Sequence, residues 1–180
     1  KFTRQTGLSA QYPDDHGLFA EAASAGEQIA ESYENGDTSR AMRIVMGLAD
    51  RANSYVENNR PWELRKDADR ATELQDICTV GLNLFRQLAI YLAPVLPKLA
   101  IQTGDLLGEP ITHWDQSKTP LVGTSVQPFQ HMLRRVETRD HHAMIEASKP
   151  KPAESEEMVH STQNEKHGKP IEPDKPNKPE

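Results

Sequence analysis

One hydrophobic periodicity constrains the fold of this chain more than any other feature. Between residues 74 and 92, apolar positions recur at intervals of three and four residues, as on one face of an α-helix. The positions that follow this spacing are Leu74, Ile77, Cys78, Gly81, Leu82, Phe85, Leu88, Ala89 and Leu92. The spacing predicts an amphipathic helix, which has to bury its apolar face against other elements.

Two helices are predicted before this one. An alanine-rich helix is expected from about Leu18 to Glu34, with Asp14 or Asp15 capping its start. A stronger pattern between residues 41 and 56 predicts the next helix, whose start is marked by a C-cap glycine and the N-cap residues of segment 35–39.

Prolines and a glycine mark the helix that follows. Pro94 and Pro97 end or kink the helix at 74–92 and start another one, which runs to about Leu107 with Gly108 as its C-cap. No strand-like alternation of six or more residues occurs within 1–108. The fold class is therefore predicted to be all-α, as a helix bundle over residues 1–108.

The pattern changes after Gly108. Residues 109–148 are turn-rich and irregular, with a short helical turn expected near 129–136 and a last short helix ending near Ser148, capped by Thr138 or Asp140. We expect this segment, with its short helices, to pack back on the bundle or on a catalytic domain rather than to form a core of its own.

The C-terminal segment 149–180 has a different composition from the rest. It contains 6 of the 13 prolines and only four apolar residues, so it cannot bury enough surface to offset the entropy of ordering. It is predicted to be a disordered Pro/Lys/Glu-rich linker to a further C-terminal module, although an ordinary disordered tail stays open. Because the chain begins with Lys1, it is interpreted as a fragment of a longer protein.

Composition excludes several classes of protein. A single Cys allows neither an internal disulfide nor a Cys-based zinc site. No apolar stretch is long enough to span a membrane, so no membrane partner is expected. The 27 acidic residues outnumber the 21 basic ones, which argues against a protein that binds nucleic acid through its overall positive charge. A local basic patch stays open.

A search for catalytic chemistry finds no candidate. The chain has neither a phosphate-binding glycine loop nor a nucleophile elbow. His141 and His142 are adjacent on a helix, so their side chains diverge by about 100° and do not share a face as metal ligands would. Cys78 lies on an apolar helix face, which is typical of a buried structural thiol. No catalytic residue and no metal ligand is predicted.

A helix–helix corner at Arg60, Pro61 and Trp62 is the one candidate site. Pro61 is expected to hold Arg60 in an extended conformation, and Trp62 falls in the first turn of a new helix. Arg60, Arg65, Lys66 and Arg70 surround the tryptophan in sequence. Trp62 is predicted either to stack on an unpaired nucleic-acid base or to act as a hydrophobic plug of the corner, and both interpretations stay open here.

Several segments resemble the anticodon-binding domain of bacterial methionyl-tRNA synthetases. They are residues 40–62, which end in Pro-Trp, residues 74–86, residues 92–97 and the shorter pieces Trp114-Asp, Pro120-Leu-Val-Gly and Val126-Gln-Pro-Phe. The resemblance covers about 1–148 in family order. It implies an anticodon-binding helix bundle of the class I aminoacyl-tRNA synthetase type, which binds the tRNA anticodon loop and docks on the catalytic domain of the same parent chain.

The resemblance also implies roles for the corner residues. Pro61 and Trp62 match the family's Pro-Trp motif, whose Trp stacks on anticodon bases, and Arg60 is expected beside them in the anticodon site. Arg65, Lys66 and Arg70 are candidate phosphate contacts. The chain itself is expected to need no cofactor and to be no enzyme alone.

The implied parent is a cytoplasmic methionine–tRNA ligase that uses ATP with Mg, with Zn as a further candidate cofactor. It is expected to dimerise through a C-terminal module beyond 149–180. Two other hypotheses remain: a helical protein–protein interaction domain in which Trp62 is purely structural, and an enzyme in its own right.

Overall fold

The computed structural model describes residues 7–133 and 137–149, and these form helices and loops. The six α-helices of the described residues are α1 (Leu18–Glu34), α2 (Thr38–Asn59), α3 (Pro61–Leu64), α4 (Ala71–Leu92), α5 (Pro97–Leu107) and α6 (Thr138–Ser148), and a 3-10 helix covers Trp114–Lys118. Within those residues the only β-type pairing is an isolated antiparallel bridge between Gly7 and Ser125. The predicted all-α fold is confirmed.

The chain divides into two compact units between residues 135 and 136. Helices α1 to α5 and the 3-10 helix belong to the first unit, and α6 belongs to the second. The segment 150–180, predicted to be a linker, lies outside the described residues. In the part of the chain that the structure describes, no helix is both long and apolar enough to cross a membrane.

Local capping signals place the ends of the first two helices as predicted. Of the two candidate caps of α1, Asp15 is the one used: its carboxylate accepts from the backbone N–H groups of Gly17 at 2.9 Å and Phe19 at 2.7 Å. Asp37 caps α2, since its carboxylate accepts from the N–H of Arg40 at 2.9 Å. Gly108 ends α5 with a left-handed φ of 69°, which a residue without Cβ adopts at little cost.

Two predictions for the C-terminal part were wrong. The helical turn expected near 129–136 is absent over residues 129–133, and residues 134–136 lie outside the described part. Phe129 and Leu133 are 62% and 65% exposed, and Met132 is half-buried with its sulfur 3.9 Å from the Thr103 hydroxyl of α5. The apolar pattern therefore reflects one contact of an extended segment rather than a helix face. Helix α6 is capped by Glu137 rather than by Thr138 or Asp140, and the Asp140 carboxylate accepts from the Glu137 N–H at 3.3 Å.

The core lies where α1, α2 and α4 pack together. It contains Ala22, Ile29, Ala41, Val45, Leu48, Ile90 and Tyr91. The Tyr91 hydroxyl donates to the Ala22 carbonyl at 2.8 Å, and its ring centroid lies 5.0 Å from that of Trp114. A glycine at position 26 makes this approach possible, because a Cβ there would lie 3.0 Å from the Tyr91 oxygen.

Helix α4 is buried on more faces than its apolar pattern predicts. Thr79, Asn83, Arg86 and Gln87 are all buried although none is apolar. The predicted positions Cys78, Leu82 and Phe85 are only half-buried. The reason is that the segment after α5 returns across the polar side of α4 and covers it.

Side chains of α4 hold this returning segment through hydrogen bonds to its backbone. Asn83 makes two bonds to Leu121, donating to its carbonyl at 2.9 Å and accepting from its N–H at 2.6 Å. Arg86 donates to the carbonyls of Gln116 and Thr119 and to the Glu109 carboxylate, at 2.9, 3.1 and 2.7 Å. Each of these bonds replaces water that α4 loses on burial, so most of the polar face is covered with its groups paired. Among the described residues, the buried Arg86 Nε and Gln87 Oε1 atoms have no hydrogen-bond partner.

The start of the described chain joins the same returning segment. The Leu8 N–H donates to the Thr124 carbonyl at 2.9 Å, and the Gly123 N–H donates to the Ser9 carbonyl at 2.9 Å. The Ser9 hydroxyl donates to the carboxylate of Asp76 on α4. Segments far apart in sequence are thus fixed to the central helix.

Candidate functional site

The residue between α2 and α3, Arg60, has a left-handed backbone conformation. Arg60 has φ 43° and ψ 58°, so the extended conformation predicted for it is wrong. Its N–H donates to the Val56 carbonyl at 3.0 Å and closes α2, while its own carbonyl accepts from the Glu63 N–H at 2.9 Å and opens α3. Pro61 disfavours the right-handed helical region for the residue before it, and the left-handed region is the alternative that satisfies both helix ends. Pro61 then occupies the first helical position, where no N–H is needed.

Leu64, not Trp62, fills the inside of this corner. Leu64 is buried and packs with Leu74 and Ile77 of α4, with Tyr55 against them. Trp62 belongs to neither buried cluster of the described residues and is 43% exposed. The plug of the corner is therefore Leu64, and the indole of Trp62 is presented to solvent.

The four basic side chains near Trp62 differ in their pairing. Arg60 lies 3.5 Å from the Glu63 carboxylate, and Arg70 makes two bonds to Glu73, at 2.7 and 2.5 Å. The Arg70 hydrogen bond lowers the pKa of the Glu73 carboxyl, so this exposed pair is charged at neutral pH. Arg65 and Lys66 are exposed and have no ion-pair partner within residues 7–133 and 137–149. Of the three predicted phosphate contacts, Arg65 and Lys66 are available to bind an anion, whereas Arg70 is paired with Glu73 at the start of α4.

An open cavity of about 530 Å³, which no sequence pattern predicted, lies between the end of α2 and the segment before α1. Asn58 and Asn59 from the last turn of α2 line it, together with Tyr55 and with Asp14 and His16 from the opposite wall. Burial, followed by the nearby carboxylates, raises the pKa of Tyr55 to about 12, so its hydroxyl stays protonated and can donate. The wall of this cavity is polar but carries no unpaired cation.

The other residues considered from sequence form no site. Burial raises the pKa of the Cys78 thiol, which keeps it protonated and unreactive at neutral pH. The His141 and His142 rings lie edge-on with centroids 6.1 Å apart. Among the described residues, no group of three His, Cys, Asp or Glu side chains is placed to hold a metal ion.

Two curated proteins are closely similar to this chain. Methionine–tRNA ligase of Rhodopirellula baltica is 58% identical over 154 residues, which cover 86% of this chain and 23% of that protein. Methionine–tRNA ligase 1 of Sorangium cellulosum is 51% identical over 150 residues, covering 83% and 22%. The chain thus spans less than a quarter of the length of these relatives.

A solved structure has the same fold. The crystal structure of the apo form of Mycobacterium tuberculosis methionyl-tRNA synthetase matches with a TM-score of 0.63 and 24% identity, over 74% of this chain and 28% of that one. No family model matches the chain.

Proposed function

We propose that this chain, which belongs to the methionyl-tRNA synthetase family over most of its length, binds the anticodon loop of a tRNA within a longer methionine–tRNA ligase. The longer protein would attach methionine to its tRNA with ATP and Mg, and with a zinc ion where its catalytic part carries a zinc insertion. This chain would contribute the tRNA contact and dock on that catalytic part.

The exposed Trp62 is the observation that carries this proposal. A tryptophan that is 43% exposed leaves much apolar surface in water, although a buried Leu64 two residues later already seals the corner. The indole is held on a short helix whose entry is fixed by two backbone hydrogen bonds at Arg60. A partly exposed aromatic ring that precedes two unpaired cations by three and four residues suits an unpaired base and its phosphate.

The charge distribution fits local rather than general RNA binding. The chain carries a formal net charge of −6, which repels a polyanion at long range. Between Arg60 and Arg70 the four basic residues stand against three acidic ones, Glu63, Asp67 and Asp69, so this stretch is less negative than the chain as a whole. Arg65 and Lys66 are its unpaired cations within the part of the chain that the structure describes. The alternative function, an interaction domain with a purely structural Trp62, requires a buried tryptophan, and the exposure of the indole argues against it.

Binding of a methionine anticodon stem–loop RNA to the 180-residue chain tests the proposal, with a scrambled loop as control. Base stacking on an aromatic ring is worth roughly 1–3 kcal/mol, so Trp62→Ala should raise the Kd ~5- to 150-fold. Trp62→Phe should raise it less, because the smaller ring still stacks. Circular dichroism of each variant shows whether the fold is intact.

Salt dependence separates base stacking from phosphate contacts. Arg65→Gln and Lys66→Gln should weaken binding to both loops and each lower the salt slope by about 1. Trp62→Ala should weaken binding to the methionine loop and leave the slope nearly unchanged. Unchanged affinity of a folded Trp62→Ala variant for the methionine loop would refute the proposed function.

A further inference from the structure

We propose that Asn35 is a site of spontaneous deamidation, and that the product loosens the junction between α1 and α2. The site is separate from the corner at Trp62, because it precedes the start of α2, whose 22 residues span about 33 Å. The proposal therefore does not depend on the proposed function.

The chain contains one Asn-Gly pair, and this pair lies in an exposed turn. Asn35 and Gly36 are both exposed and lie between Glu34, which ends α1, and Thr38, which begins α2. Within the described residues, no hydrogen bond holds the side-chain amide of Asn35. A glycine after Asn favours deamidation, because it has no Cβ to hinder the approach of its backbone nitrogen to the Asn side chain.

The reaction needs only water and hydroxide. Hydroxide removes the proton of the Gly36 N–H, and this nitrogen then attacks Cγ of Asn35. The bond between Cγ and the side-chain nitrogen breaks, and ammonia leaves with a proton taken from water, which regenerates hydroxide. Water opens the resulting cyclic imide at one of its two carbonyls. Opening at Cγ gives aspartate, and opening at the backbone carbonyl carbon gives isoaspartate, in which the chain continues through the side chain.

The folded turn slows this reaction through backbone hydrogen bonds. The Gly36 N–H donates to the Tyr33 carbonyl at 3.0 Å, and the Asp37 N–H donates to the Ser32 carbonyl at 2.8 Å. Asn35 has φ −82° and ψ 2°, and closure of the imide requires a rotation of ψ that breaks the first of these bonds. Because the turn is exposed, we expect it to open locally while the core stays folded.

The product places a new carboxylate where negative charge is already concentrated. The last turn of α1 contains Glu31 and Glu34 and no basic residue, and Asp37 follows after the turn. The C-terminal end of a helix carries partial negative charge, so a carboxylate at position 35 destabilises the end of α1.

The isoaspartate product also lengthens the backbone. One additional methylene group before Gly36 displaces Asp37 from α1, so its N–H no longer reaches the Ser32 carbonyl in the same geometry. Asp37 also caps α2, since its carboxylate accepts from the Arg40 N–H at 2.9 Å. Both helices contribute side chains to the core, so a looser junction lowers the free energy of unfolding.

Peptide mass spectrometry after incubation at mildly alkaline pH tests the proposal on the 180-residue chain, folded in buffer and unfolded in urea. In the folded chain, the peptide with Asn35 should gain the mass difference between an amide and an acid, in two forms that chromatography separates. The rate should be ~3- to 30-fold below that of the unfolded chain, which corresponds to a free energy of local opening of ~0.7–2 kcal/mol. A folded chain that forms no product at Asn35, while the unfolded chain reacts, overturns the proposal.

Asn53 is the matched control within the same chain. It is also exposed, but it lies inside α2 and is followed by Ser54, whose N–H belongs to the helical hydrogen-bond ladder. It should stay unmodified in the folded chain while Asn35 reacts, and equal rates at the two positions contradict the selectivity. Asn35→Gln should abolish the change in its peptide, because the longer side chain closes the ring poorly.

Two measurements distinguish local opening from global unfolding. Asp37→Ala removes the cap of α2, worth roughly 0.5–2 kcal/mol, so the ratio of the folded to the unfolded rate should rise ~2-fold or more. Below the unfolding transition, added urea should leave the folded rate of the unmodified chain nearly unchanged, because opening the turn exposes little surface. A rate that rises in proportion to the globally unfolded fraction overturns the local opening.

Thermal unfolding of the separated products tests the structural consequence. The Asn35→Asp variant, which has the same sequence as the aspartate product, should melt below the unmodified chain because of the added charge. The isoaspartate form should melt lower still, because it also loses backbone geometry at the turn. Equal melting temperatures of all three forms overturn the claim that deamidation loosens the junction.

Discussion

The close approach of α1 and α4 at Gly26 and Tyr91 makes a quantitative prediction about the core. A Cβ built on Gly26 would lie 3.0 Å from the Tyr91 oxygen and 3.3 and 3.4 Å from two ring carbons. Tyr91 is fully buried, its hydroxyl is held by the Ala22 carbonyl, and its ring packs against Trp114. The ring therefore cannot move away from a new methyl group without losing one of these contacts.

The expected effect of Gly26→Ala follows from opposing contributions. Replacing a helical Gly by Ala stabilises by about 0.5–1 kcal/mol. Overpacking a core costs about 1–3 kcal/mol, and weakening the Tyr91 hydrogen bond adds about 1 kcal/mol. We expect a net loss of about 1–3.5 kcal/mol in the free energy of unfolding.

Tyr91→Phe turns this expectation into a double-mutant cycle. Removing the hydroxyl alone should cost about 1 kcal/mol, since it loses the hydrogen bond to Ala22. In the double variant the new methyl group occupies the space that the hydroxyl leaves. The two substitutions should therefore be less destabilising together than the sum of their separate effects, by about 1 kcal/mol or more.

Urea unfolding followed by circular dichroism measures each free energy, and Gly47→Ala is the control. Gly47 is also helical, but a Cβ there would meet nothing within 4 Å, so Ala should stabilise by about 0.5–1 kcal/mol. If Gly26→Ala stabilises to the same extent, or if the cycle is additive within about 0.5 kcal/mol, the packing argument is wrong.

Three further predictions concern the corner and its surroundings. Leu64→Ala should lower the free energy of unfolding by about 2–5 kcal/mol, since Leu64 fills the corner; a loss no larger than that of Trp62→Ala in urea unfolding would contradict this assignment. Arg60→Gly should stabilise the chain by about 1–2 kcal/mol through the loss of left-handed strain, and destabilise it by about 0.5–1 kcal/mol through the greater entropy of the unfolded state. Thermal unfolding should therefore show unchanged or slightly higher stability. Clear destabilisation would mean that the Arg60 side chain stabilises the corner. Burial and nearby carboxylates raise the pKa of Tyr55 from its ordinary 10 to about 12, so its contribution to stability is present below pH 10 and is lost as the pH rises to 12. Between pH 10 and 12 the melting temperature of Tyr55→Phe should therefore fall less steeply with pH than that of the unmodified chain. An equal fall in both proteins would contradict the shift.

The helices could be predicted from sequence because their signals are local. Asp37 lies within four residues of the backbone group it caps, and Gly108 and Pro97 act at their own positions. The buried polar face of α4 could not be predicted in this way. The carbonyls that accept from Arg86 are 30 and 33 residues away in sequence, and no periodicity reports such a partner.

The corner at residues 60–62 could be recognised from the sequence, but its geometry could not. Trp62 and Leu64 are both apolar and both lie in α3, which has four residues and is too short for a periodic pattern to show which one faces inward. The left-handed conformation of Arg60 decides this, because it sets the direction in which α3 leaves α2. The preference of a residue before proline points to an extended conformation, but the left-handed one lets Arg60 both close α2 and open α3 by backbone hydrogen bonds.

The attachment of the returning segment by α4 side chains has a consequence for where this protein can be divided. A fragment that stops at Gly108 keeps α1 to α5 but strips the backbone partners from Asn83 and Arg86, and Arg86 is only 3% exposed in the intact structure. It also uncovers Tyr91, because Trp114 is lost. The last backbone bond of the returning segment joins Gln127 to Leu106. A gene fusion or recombination event that transfers the bundle intact must therefore carry both the segment at Leu8 and Ser9 and the chain as far as Gln127. A boundary just after α5 would transfer α4 with its polar face uncovered.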